Sequence, residues 1–154
     1  MTLYLLALLI GVVAGLRALT APAAVSWGAH LGWLPLAGTP LAFLGHPAAP
    51  WIFTVLAIGE LIADQAPKTP SRKVPLQFGA RIFSGALCGA AIGATAGALA
   101  IGLALGAVGA VIGTLAGAAA RARLAAAFGS DRPAALLEDL VAIGGAALIV
   151  FWLV

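Results

Sequence analysis

Apolar residues fill most positions of this chain, and polar residues interrupt them at only a few places. Residues 3–25 form a nearly continuous apolar run, long enough as one helix to cross about 30 Å of hydrocarbon. Residues 31–44 are apolar but short, and Pro35, Gly38 and Pro40 break them. That pattern fits a re-entrant or interfacial segment better than a spanning one. A second helix is predicted over 51–65, where Pro67 and Pro70 then stop it. Residues 78–123 are a Gly/Ala run too long for one span. Gly85, Gly89, Gly93 and Gly97 recur every four residues, and Gly106 or Gly109 with Gly113 and Gly117 nearly repeat the spacing. Small residues at this interval let helix backbones approach closely. The run therefore predicts a hairpin of two helices turning between Gly102 and Gly106. Its glycines read as an intramolecular seam, with a dimer face or a pore lining as alternatives. Residues 129–133 read as a turn and a helix start, with Ser130 or Asp131 as cap and Pro133 in the first turn, and the last helix fills 134–154.

These elements make an all-α fold: one polytopic transmembrane domain of five spanning helices plus a broken re-entrant segment at 31–44. If that segment crosses, six segments divide three plus three, as in an inverted repeat. A short internal match, Gly15-x-Arg17-x-x-Thr20 against Gly79-x-Arg81-x-x-Ser84, lends this alternative slight support.

Composition sharpens the picture. The 154 residues are 63% hydrophobic and 8% charged, with a mean hydropathy of +1.13. Soluble domains carry about 25% charged residues, so this chain cannot cover a soluble surface. The net charge of +3 does not imply nucleic acid, because the basic residues cluster in loops. Lys68, Arg72, Lys73 and Arg81 flank one loop, and Arg121, Arg123 and Arg132 flank another. The positive-inside rule then puts loops 66–77 and 121–133 in the cytoplasm, with the N-terminus inside. Trp27, Trp33 and Trp51 border the opposite loop as interfacial aromatics. Ala21-Pro22-Ala23 has the small residues of a signal-cleavage site, but no Lys or Arg precedes the apolar run, which reads as a membrane helix. Cys88 is the only cysteine, so no disulfide framework exists and a packing role is expected.

Candidate chemistry rests on a few charges in apolar surroundings. Glu60 and Asp64 are spaced i, i+4 and face the same way on their helix. At low dielectric such a pair needs a proton, a bound cation or neutralising arginines. Arg17 and Arg81 are the partners the sequence offers, with Thr20 and Ser84 as hydroxyls for a polar path. Arg17 follows an uncharged stretch and should face protein or a watery cavity, whereas Arg81 can snorkel to the headgroups. Glu138 and Asp139 lie near a helix start and read as interfacial caps favoured by the helix dipole. His30 and His46 match no metal-ligand spacing, and no nucleophile, zinc or phosphate-loop motif occurs, so neither an enzyme nor a metal or other cofactor is expected.

Gly15-Leu16-Arg17-Ala18-Leu19-Thr20-Ala21-Pro22, Glu60-Leu61-Ile62-Ala63-Asp64-Gln65-Ala66-Pro67 and Arg81 with Gly85-Ala86 resemble the motifs of a family of small bacterial membrane proteins known only as a domain of unknown function. Gln65 stands where the family pattern has lysine, and Ile82 where it has proline. The resemblance implies which residues matter and a place in a bacterial inner membrane, and it brings no activity.

The leading expectation is a small transporter or channel. Glu60 and Asp64 would bind a cation or relay protons, and Arg17 would act as counter-charge. The alternatives are a flippase or binding protein for an anionic lipid, and a structural subunit whose charges only lock helices. The partners expected are membrane lipids, a small ion or molecule, and further copies in a homo-oligomer.

Overall fold

The computed structural model describes residues 2–65 and 74–153. Lys68, Arg72 and Lys73, and with them most of the first basic loop, lie outside the described residues. The described residues form six α-helices and no strand: α1 (Thr2–Leu16), α2 (Thr20–His30), α3 (Ala49–Asp64), α4 (Pro75–Ala94), α5 (Leu99–Phe128) and α6 (Asp131–Phe151). A 3-10 helix, Ala42–Gly45, sits between α2 and α3. Two of these, α5 and α6, are long and apolar enough by themselves to cross a membrane.

The core is built on glycine. Gly11 of α1, Gly85 of α4 and Gly106 of α5 converge so closely that a methyl group on any of them would strike a neighbouring backbone. Gly89 and Gly93 likewise lie against Gly102, and Gly109 and Gly113 lie against Leu8 and Val12. Backbones this close gain dispersion energy that larger side chains would forbid. The hairpin of the two Gly/Ala helices is present, but its turn falls at 95–98 and not between Gly102 and Gly106. Gly97 therefore sits in that turn at φ +68°, a conformation glycine adopts freely, and not on the helix face.

Neighbouring contacts fix the direction of each helix. Gly11 meets Gly106 and Gly15 meets Ala110, so α1 and α5 run the same way, while Gly85 against Gly106 and Gly93 against Gly102 turn α4 the other way. Along α6, Gly145 meets Val13, Asp139 meets Arg17 and Val150 meets Gly28. The chain thus descends α6 as far as Arg17 and then climbs it again. Residues 3–25 are not one helix: α1 stops at Leu16, the chain reverses over Arg17, Ala18 and Leu19, and α2 returns.

The reason is local. Pro22 has no N–H, and its ring clashes with the carbonyl four residues back, so Ala18 cannot stay in a continuous helix. In α3, Thr54 meets Trp27 and Glu60 meets Ala18, so α3 runs opposite to α2. The six helices therefore alternate in direction. The sixth segment comes from the reversal inside 3–25 and not from residues 31–44, which form turns and the 3-10 helix. Arg17 follows the last residue of α1 whereas Arg81 lies in the second turn of α4, so their short sequence match does not mark equivalent places.

Candidate functional site

A chain reversal inside apolar surroundings leaves backbone groups without helical partners, and each must be satisfied by something nearby. At the start of α2, the N–H groups of Ala18 and Leu19 both donate to the carboxylate of Glu60, at 2.8 Å each. At the end of α1, Arg81 Nη1 donates to the carbonyls of Gly15 (2.9 Å) and Leu16 (2.6 Å). The Ala18 carbonyl, released by Pro22, accepts from the Ser84 hydroxyl. Thr114 Oγ1 bonds its own backbone at Ala110 and lies 3.2 Å from the Gly15 carbonyl. An acid thus caps a helix N-terminus and a base caps a helix C-terminus, each opposite the favourable end of the helix dipole. Glu60 and Arg81 are themselves 3.8 Å apart.

Arg17, in the reversal itself, has no exposed side-chain surface and points the other way, toward α3 and α6. Its Nε donates to Asp139 Oδ1 at 2.6 Å, and its Nη2 lies 2.8 Å from Asp64 and 3.7 Å from Glu138. Gln65 holds the other Asp139 oxygen at 3.2 Å. Arg121 binds Asp64 as well, lies 3.4 Å from Glu138, and forms a two-pronged pair with Asp131 at 2.9 and 2.6 Å. Asp64, Asp131, Glu138 and Asp139 therefore join one lattice with Arg17 and Arg121, while Glu60 and Arg81 pair beside the reversal.

Several expectations change here. Glu60 does not touch Arg17, and the two acids of α3 have different partners. Asp64 is shared by two arginines, while Glu60 caps the reversal. Arg81 is buried and bonded to backbone and does not snorkel. Glu138 and Asp139 are buried ion-pair partners and not interfacial caps. Ser130 occupies the cap position of α6 without a side-chain bond, and Asp131 pairs with Arg121 instead. Arg121 is not a loop residue, since α5 continues to Phe128. Thr20 and Ser84 do not line one path: Thr20 faces an apolar crevice between α2, α3 and α6, and Ser84 faces a groove between α3 and α4. His30 and His46 lie in the region of the 3-10 helix, near or bonded to backbone groups, and no metal-holding cluster occurs among the described residues.

The groove has a volume of about 1270 Å³. It forms because α3 rests on α2 and the 3-10 helix, whereas α4 rests on α1 and α5. Glu60, Asp64, Arg81 and Arg121 stand at one end of it and Phe43, Phe53 and Leu87 toward the other. Glu60 and Asp64 keep a small exposed fraction there, 16% and 13%.

No curated protein and no solved structure matches the chain. The sequence profile of a family described as "Domain of unknown function (DUF4126)" matches residues 4–153. The reversal, its capping residues and the ion-pair lattice all fall within that match, and the chain belongs to this family.

Proposed function

We propose that this chain is a small multi-pass transporter of a bacterial inner membrane, with the groove between α3 and α4 as its substrate path and Glu60 as the carboxyl group that exchanges protons during transport. The observation that carries this reading is the helix reversal between α1 and α2, whose backbone ends are held by two ionisable side chains at the edge of a large groove. Discontinuous helices of this kind place polar backbone at membrane depth, where it is tolerated only inside protein or beside a watery cavity.

In this arrangement α1 and α2, about 22 and 16 Å long, enter and leave from one side, while α3 to α6 cross. The charged end with Arg121 and Asp131 is cytoplasmic, and both ends of the chain lie outside. Asp64, Glu138 and Asp139 serve as a lock through Arg17. Glu60 differs from them because its main partners are neutral N–H groups, which a protonated carboxyl can release.

The test is proton movement in proteoliposomes, followed with an entrapped pH-sensitive dye. Glu60→Gln should abolish the movement while the protein stays folded, and Glu60→Asp should retain part of it. Unchanged movement in Glu60→Gln would sink the transport reading and leave the lattice a structural device.

A further inference from the structure

On the other side of α3 lies a crevice of about 660 Å³, a volume usual for small-molecule sites. It shares no lining residue with the groove between α3 and α4. α3 and α6 both pack on α2 and leave a gap between them that opens sideways. No charged side chain lines it. Trp27 and Thr54 do, but Trp27 donates to Thr54, which in turn donates to the Pro50 carbonyl. Thr20 is different. It is 7% exposed, and its hydroxyl has no hydrogen-bond partner among the described residues. A helical threonine commonly bonds the carbonyl four residues earlier. Here that carbonyl belongs to Leu16, across the reversal, and Arg81 holds it.

Thr20 marks the inner end of the crevice. Asp139 bonds Arg17 and Val150 meets Gly28, so α6 rises beside α2 and brings Ile143 near the level of Thr20. Trp27 is seven residues further along α2, about 10 Å nearer the level where interfacial aromatics lie. Bilayer lipids keep their ester carbonyls at that level, so only their tail carbons reach Thr20, and carbon leaves its hydroxyl unpaired. An oxygen arrives at this depth on a molecule that enters oxygen first and trails its chain outward. Thr20 also opens α2, where the helix dipole favours an acceptor. Threonine in a helix adopts two χ1 rotamers, so the hydroxyl can turn toward such an acceptor without moving the helix. Beside it Ala24, Ala57 and Ala147, one from each helix, keep the walls low enough for a flat ring. We infer that this crevice takes a neutral, lipid-soluble carbonyl compound of the quinone type, its leading oxygen accepting from Thr20 and its tail leaving past Trp27 and Phe151.

The test measures ligand retained at equilibrium. Purified protein is reconstituted into phosphatidylethanolamine vesicles carrying a decyl-substituted benzoquinone or, in parallel, decylbenzene, which has the same tail and no oxygen. It is then re-extracted in mild detergent for native mass spectrometry. The quinone should be retained, one per chain, in preference to decylbenzene. Thr20→Val keeps the shape of the side chain and should lower retention about fivefold, the loss of one neutral hydrogen bond. Thr20→Ser should retain quinone like the parent. Ala147→Phe, on an exposed wall of the slot, should abolish retention, whereas Leu87→Phe in the other groove should not change it. Equal retention of decylbenzene, unchanged retention in Thr20→Val or Ala147→Phe, or phospholipid held in place of the quinone would each overturn the assignment. Proton movement in Glu60→Gln concerns the other groove, so the transport reading and this site stand or fall separately.

Discussion

Arg17 is where most of the lattice closes. It is fully buried and faces Asp64, Glu138 and Asp139 at once. Removing a buried charge strands its partners, which costs about 3–5 kcal/mol, whereas replacing both members of a pair with apolar groups is often close to neutral. Arg17→Ala should therefore lower the melting temperature in detergent sharply, and Arg17→Met combined with Asp139→Leu should recover part of the loss, since Asp64 and Glu138 still lose a partner. Strict additivity of the two single changes in a double-mutant cycle would show that the contact carries no coupling.

Arg17, Glu60, Asp64 and Arg81 were legible because a charge in apolar sequence announces itself. Their pairing was not. Spacing i, i+4 says that Glu60 and Asp64 face one way, but not which elements they meet. Glu138, Asp139 and Arg121 were misread because they lie near a turn in sequence. Only the true length of α5 shows that Arg121 sits about two helical turns before the helix ends.

At the scale of elements, the reversal between α1 and α2 is the feature the apolar pattern hides. Both arms are apolar and their combined length suits a single span, so length and composition favour one helix. The local signal was Pro22, which deprives Ala18 of its helical bond, and Gly15, where any side chain would strike α5. The glycine seam was easier to read, because four-residue spacing maps directly onto one helix face. Its turn was misplaced because Gly102 and Gly106 look like breakers, yet they are glycines for the sake of close packing. The reversal has a direct check. With Cys88 replaced by alanine, Gly28→Cys and Val150→Cys should form a disulfide under mild oxidation, since a Cβ on Gly28 would lie 2.7 Å from the Val150 side chain. A continuous first helix would carry residue 28 away from Val150 and give no cross-link.

At the scale of the whole molecule, alternating directions bring the start of α1 and the end of α6 to the same end, opposite the charged lattice. Under the proposed orientation, tags on both termini should be cleaved by protease added to intact spheroplasts, and a thiol at Ser130→Cys should be labelled only after the membrane is breached. Tags on opposite sides would restore a five-span arrangement. The hydrogen bonds that hold the reversal also impose an order in time. The caps for Gly15, Leu16, Ala18 and Leu19 come from Glu60, Arg81 and Ser84, some 41 to 66 residues further along the chain. A ribosome releases the first apolar segment long before those side chains exist. The break at Pro22 is present from the start, but the fold-back gains its caps only when α3 and α4 arrive to supply them.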